Sequence, residues 1–246
     1  MIKNPNKNKK VLITGGSRGI GAEAVREFTG EGSSVAFMYR NSTQKALELS
    51  KATGALNIKC NVASSPSVKA AMDVANEFFE NEIDVLICNA GISDFGLFTD
   101  FDEDRWSNMI ETNLNGVYRC VRAVLPGMIS RKKGSIIIVS SMWGQVGASC
   151  EVAYSTAKAG LIGMTKALAK EEGPSGIRVN CICPGLIDTE MNAEVSKEAQ
   201  EDIIYDTPLS RIGTPADVVK VMKFLASDQS GFVTGQVMGV NGGLIM

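Results

Sequence analysis

The chain contains no histidine. That absence removes the commonest general base and the commonest metal ligand, so acid–base chemistry must rest on other side chains and no metal site is expected. Long apolar runs are absent too. Nothing approaches a membrane span, and the polar, basic opening MIKNPNKNKK leads into VLIT without the apolar region of a signal peptide. The expected location is the cytoplasm, where the six cysteines stay reduced. No C-x-x-C pair occurs; Cys60, Cys88, Cys181 and Cys183 fall in strand-like runs and Cys120 in a helix-like one, which marks them as core filling. A net charge of −2 gives no general attraction for polyanions, so neither nucleic acid nor a membrane surface is an expected partner.

With 44% hydrophobic and 21% charged residues in 246, the chain has the composition of one globular domain spanning 1–246. Residues 1–9 read as a polar tail, and the polar stretch 186–212 as a flap over a site. Apolar runs of strand length recur at 11–14, 34–39, 55–60, 83–89, 135–140, 178–183 and 236–240, separated by helical segments. Near-continuous apolar strands alternating with helices predict an α/β fold, a doubly wound parallel sheet of seven strands with helices on both faces.

The segment VLITGGSRGIG places Gly15, Gly19 and Gly21 directly after the first strand and at the opening of a helix. In that context the glycines let the backbone approach a pyrophosphate, whose charge meets the free N–H groups of the helix. A plain tight turn is the alternative. The second strand ends Tyr39-Arg40-Asn41, without the carboxylate that would hold a ribose 2′-hydroxyl. Arg40, with Arg18 inside the turn, suits a 2′-phosphate, so the expected cofactor is NADP(H); as isolated residues both would equally suit a solvated surface.

Tyr154 and Lys158 stand four apart on a predicted helix and share a face. An ammonium beside a phenol favours the phenolate, giving an acid–base group where histidine is missing. Ser141, at the end of the fifth strand, is placed to hydrogen-bond a substrate carbonyl, and Asn113 to anchor a water leading to Lys158. Taken singly, each has a bland reading as a surface or capping residue.

These residues together resemble the short-chain dehydrogenase/reductase family over 9–246. The resemblance implies a Rossmann-type fold in which the turn Thr14 to Gly21 holds the cofactor through Gly15, Ser17, Arg18, Gly19, Ile20 and Gly21. It adds Arg40, Asn61, Val62, the run Asn89-Ala90-Gly91, and Pro184, Gly185, Ile187 and Thr189. It also makes Asn113, Ser141, Tyr154 and Lys158 the catalytic set, with Tyr154 and Lys158 touching the cofactor as well. Asn61 departs from an adenine-contacting aspartate, and Cys88 from the first asparagine of N-N-A-G. The helices around 106–129 and 152–173 resemble the family's interface helices, which implies a homotetramer.

Two substrates are implied. TGGSRGIG, AKAGLIGMTKALAKE and TGQVMGVNGG resemble the 3-oxoacyl-acyl-carrier-protein reductases. In these an arginine before the fifth strand docks the carrier, a place filled here by Arg131, Lys132 and Lys133, while Ser175 replaces a second. SSMWGQVGASCEVAYSTAK, with FGLFTD upstream, more sharply resembles the reductases of 5-aminopentanone-modified elongation factor P. That amine would need an anionic partner, for which Glu151 is the candidate, helped by Asp94 or Asp100, with Trp143 as core or pocket wall. Glu151 as a cap of the Tyr154 helix is the other reading. A catalytically idle NADP-binding regulator is the third possibility, opposed by the complete catalytic set.

Overall fold

The computed structural model describes residues 4–193 and 195–246. Seven strands, β1 (Lys10–Thr14), β2 (Ser34–Tyr39), β3 (Leu56–Lys59), β4 (Val85–Cys88), β5 (Gly134–Val139), β6 (Ile177–Pro184) and β7 (Val237–Val240), form one sheet in the order β3-β2-β1-β4-β5-β6-β7. Every pairing is parallel. The expected doubly wound sheet is therefore present, and each apolar run yields a strand whose ends lie within two residues of its own.

Because side chains alternate across a strand, each strand feeds two cores. Leu12, Met38, Leu86, Cys88, Ile136 and Ile138 pack under α3 (Ser65–Phe78), α5 (Gly116–Arg131) and α7 (Val152–Glu172). Ile13, Phe37, Ile87, Ile137 and Ile182 pack under α1 (Gly19–Gly30), α2 (Thr43–Thr53) and α9 (Pro215–Ala226). The remaining helices are α4 (Glu103–Ile110), the short α6 (Trp143–Val146) and α8 (Lys197–Asp206). The chain reverses its direction of winding between β1 and β4, and the crevice beyond the carboxyl ends of these strands is where ligands of such sheets bind. Among the described residues no helix is long and apolar enough to cross a membrane.

Two expectations are refined. Residues 1–3 lie outside the described residues, but the rest of the polar opening is no loose tail: Asn6 is fully buried, accepts from the Ser33 hydroxyl at its carbonyl (2.8 Å) and donates to the Lys223 carbonyl (3.1 Å). The stretch 186–212, of which residue 194 is not described, carries α8 without a buried residue and is pinned to the following turn by a bridge between Ile187 and Gly213. Cys60, Cys88, Cys120, Cys181 and Cys183 are all buried, as core filling requires.

At the sheet's far side, buried Asn180 of β6 donates to the Val233 carbonyl (2.9 Å) and accepts from the Gln236 N–H (3.1 Å), fixing the entry to β7. Asn180→Ala leaves both partners unmet, and urea denaturation should show a loss of about 1–3 kcal/mol; an unchanged midpoint would contradict this role.

Candidate active site

The glycine turn is held open from below. Thr14 ends β1 with its hydroxyl accepting from the N–H groups of Asn89 and Ala90 (both 3.0 Å), while Asn89 Nδ2 donates to the carbonyls of Thr14 (3.2 Å) and Gly15 (3.0 Å). Gly21 is required by this closeness: a Cβ there would lie 2.2 Å from the Gly15 oxygen and 2.6 Å from Asn89 Nδ2. Gly15 and Gly19 have φ of +67° and +52°, in the left-handed region that favours glycine. Helix α1 begins at Gly19 with no side-chain cap on its first-turn N–H groups. Its first-turn N–H groups are thus free for an anion, and the turn fits a dinucleotide pyrophosphate.

Around the mouth, Ser17 and Ile20 are partly buried, and Arg18 and Arg40 are exposed. Thr189 reaches over the turn, its Cγ2 lying 3.3 Å from where a Gly19 Cβ would stand. Pro184 is the last residue of β6, Gly185 follows it, and Ile187 is buried. Asn61 closes its own turn, accepting from the Ala63 N–H (3.2 Å), and Val62 packs where a Gly116 Cβ would be.

The four residues of the expected catalytic set come together. A Cβ on Gly91 would lie 3.0 Å from Asn113 Oδ1 and 3.6 Å from Lys158 Nζ, which places these three side by side. Asn113 lies in a π-helical turn, Glu111–Asn115, between α4 and α5, and its amide is spent on Ile92: it accepts the Ile92 N–H and donates to the Ile92 carbonyl, both at 2.8 Å. Lys158 donates to the Val139 carbonyl at 2.9 Å, and its ammonium sits 5.5 Å from the centre of the Tyr154 ring. Ser140 ties α7 to β5 by donating to the Lys158 carbonyl (2.7 Å). The Ser141 hydroxyl accepts from the Trp143 N–H (3.2 Å), which leaves its own proton to donate.

The electrostatics differ from the expectation that Lys158 lowers the Tyr154 pKa. Burial pushes Tyr154 up to about 12; the Ser141 hydroxyl pulls the other way, and the charge of Glu151 raises it further. Burial likewise pushes Lys158 down to about 8, against the pull of Cys181 and Cys183. Burial moves both groups toward their neutral forms, and the lysine gives its hydrogen bond to a carbonyl and not to the phenol.

The substrate candidates are corrected in part. Asp94 is clasped by Arg105 through Nη2 (2.6 Å) and Nε (2.9 Å), so it is not free to meet an ammonium. Glu151 occupies the N-cap position of α7 but makes no side-chain capping bond. It has no ion pair among the described residues, and partial burial raises its pKa. Trp143 is partly buried at the start of α6. Asp100 is exposed. Arg131 donates to the carbonyls of Asn81 (2.7 Å) and Ile83 (2.5 Å) at the amino end of the sheet, away from Tyr154, and Lys133 pairs there with Asp84 (3.2 Å).

Sequence reasoning missed the backbone partners Val139 and Ile92, for which no side-chain pattern exists. It also missed Lys45 and Glu190, which join Arg18 in an ion-pair cluster at the mouth of the glycine turn.

A glycine turn on an uncapped helix with a Tyr–Lys pair at the carboxyl end of the sheet defines a nicotinamide-dependent oxidoreductase. A family model described as Enoyl-(Acyl carrier protein) reductase matches residues 15–245. The chain is 39% identical over 244 residues to the 3-oxoacyl-acyl-carrier-protein reductase FabG of Staphylococcus aureus, covering 97% of this chain and 98% of that one. It is 40% identical over 241 residues to the protein of that name from Chlamydia trachomatis, covering 96% and 97%. It is 37% identical over 238 residues to the uncharacterized oxidoreductase YmfI of Bacillus subtilis, covering 96% and 98%. The chain belongs to the short-chain dehydrogenase/reductase family and is an NAD(P)-dependent enzyme acting on ketone or alcohol groups. The names of these two reductases speak of a carrier-bound 3-oxoacyl group and not of modified elongation factor P.

The depressed Lys158 has a consequence for stability. Its folded pKa of about 8 lies below the unfolded value near 10.4, so protonating it at neutral pH costs folding energy, and that cost disappears as pH rises through the interval. Lys158→Met should therefore raise stability at pH 7 by on the order of 1–3 kcal/mol, with the gain shrinking between pH 8 and 10.5. A loss of stability at pH 7 would contradict the placement.

Proposed function

We propose that the protein is an NADPH-dependent 3-oxoacyl-acyl-carrier-protein reductase that works in the cytoplasm as a homotetramer. The observation that carries this reading is near-complete alignment with enzymes of that name, combined with Asn113, Ser141, Tyr154 and Lys158 in one cluster. The family model's description names enoyl reduction; Ser141 and Tyr154 offer two hydroxyls to one acceptor, which suits a carbonyl oxygen better than a carbon–carbon double bond. The apolar residues Tyr118, Ile129 and Val152, exposed on α5 and α7, suit burial between subunits.

When bound, the reduced nicotinamide supplies the hydride. The protein does the rest. Ser141 donates to the ketone oxygen and holds it beside Tyr154, whose phenol keeps its proton at neutral pH and gives it up as negative charge develops on that oxygen. Lys158 then stabilises the tyrosinate, and Asn113 fixes the 91–92 backbone against which Lys158 rests. Arg18 and Arg40 fit the 2′-phosphate of NADP(H) by charge, with no carboxylate at the end of β2 to repel it.

One observation keeps a second reading, a ketone bearing an amine such as that on modified elongation factor P: Glu151, a partly buried carboxylate with no cation partner among the described residues, three residues before Tyr154. NADPH oxidation measured side by side separates the two. The proposal expects turnover of a 3-oxoacyl group on carrier protein to exceed that of an amino ketone, with Glu151→Gln affecting neither strongly. Faster amino-ketone turnover that falls roughly 10- to 150-fold in kcat/KM in Glu151→Gln would replace it.

The cofactor and proton roles are tested separately. Arg40→Asp should reverse the preference for NADPH over NADH, and equal use of both by the unaltered protein would contradict the phosphate site. Tyr154→Phe should lower kcat by at least about 100-fold and leave the NADPH dissociation constant nearly unchanged. Near-normal turnover would remove the mechanism.

A further inference from the structure

The anion site beside the glycine turn is larger than its two arginines, and a carboxylate already stands in it. Glu190 opens the short 3₁₀ turn Glu190–Asn192 that follows β6. One of its oxygens lies 2.5 Å from Lys45 Nζ, on the first turn of α2, and the other 3.9 Å from Arg18 Nη1. Three distant segments thus meet at one point: the glycine turn, the helix that follows β2, and the stretch after β6. All three side chains are about half exposed, at 50% for Arg18, 51% for Lys45 and 55% for Glu190, so the cluster is open to a ligand from solvent. Lys45, first, and Arg18 hold the Glu190 carboxyl below the usual carboxylate range.

We propose that Lys45 forms, with Arg18, a binding group for the 2′-phosphate of the cofactor, and that Glu190 occupies the phosphate position until the phosphate displaces it. This rests on the NADP(H) reading above. The location supports it, since the end of β2 and the turn after β1 are where an adenosine ribose hangs in a doubly wound sheet. Charge supports it too. A carboxylate bridging two cations marks a place where a tetrahedral dianion gains more from the same cations than the carboxylate does. Exposed ion pairs are weak and screened, so Glu190 is a displaceable occupant and not a permanent lock. Displacement also frees the 187–193 segment, which carries Thr189 over the glycine turn, so recognition of the phosphate is coupled to the mobility of the stretch over the site.

The test uses adenosine 2′,5′-bisphosphate and adenosine 5′-monophosphate, which lack the nicotinamide and differ by the 2′-phosphate. Affinities are measured by calorimetry on the full chain, with hydrogen exchange of residues 187–193 as a second readout. Unaltered protein should prefer the bisphosphate. Glu190→Gln should tighten bisphosphate binding about two- to fivefold and leave the monophosphate unchanged, and Lys45→Gln should weaken the bisphosphate by a similar factor. The bisphosphate, and not the monophosphate, should speed exchange at 187–193, and that difference should vanish in Glu190→Gln. Equal binding of both ligands by unaltered protein would overturn the NADP(H) reading and this proposal with it. A preference for the bisphosphate that neither variant shifts would overturn the proposal alone.

Discussion

Everything at the carboxyl end of the sheet depends on one amine taken out of water. Lys158 is buried against the sheet with the Val139 carbonyl as acceptor, and among the described residues no carboxylate pairs with it. Burying an ammonium this way is unfavourable, so the surroundings must hold it without collapsing onto it. Ser140 grips the carbonyl of the same residue, and glycine at position 144 lets α6 lie against it: a Cβ there would stand 2.7 Å from Ser140 Oγ and 2.8 Å from the Lys158 carbonyl carbon. On the other side Gly91 leaves room that a side chain would take from Lys158 and Asn113.

In the proposed mechanism, that arrangement lets a chain without histidine run acid–base chemistry. Tyr154 shares the dry environment, and the same burial that discourages charge on the lysine keeps the phenol protonated. A site that waits with its proton on the tyrosine is set up to give that proton to a developing alkoxide, which is the reducing direction. The half-buried charge of Glu151 acts in the same sense by opposing the tyrosinate.

Much of this was legible in the sequence because it rests on periodicity and on glycine. The strands followed the apolar runs, and the glycine turn was legible because only glycine fits at Gly21, where the backbone oxygen of Gly15 intrudes. Tyr154 and Lys158 were paired by helical spacing. What could not be read depends on long-range partners and on solvent. The Asp94 carboxylate is held by Arg105 and the Arg131 guanidinium donates to the Asn81 and Ile83 carbonyls, and no local pattern joins either set of partners. The direction of the Tyr154 shift depends on the same kind of partner: spacing brings the lysine near, but burial and the Val139 carbonyl decide what that nearness does. Glu190 and Lys45 stand 145 residues apart, and no local pattern joins them.

The most direct test is the ionisation of Tyr154 itself in the cofactor-free protein, followed by carbon-13 NMR of labelled tyrosine and assigned through Tyr154→Phe. The chain has four tyrosines, so the resonance is separable. Tyr154 should still be a neutral phenol at pH 10, where an ordinary tyrosine is half ionised, because burial pushes its pKa up to about 12. A Tyr154 already ionised below about pH 9 would mean that Lys158 acts on it directly in the free protein, and would contradict a site that stores its proton on the tyrosine.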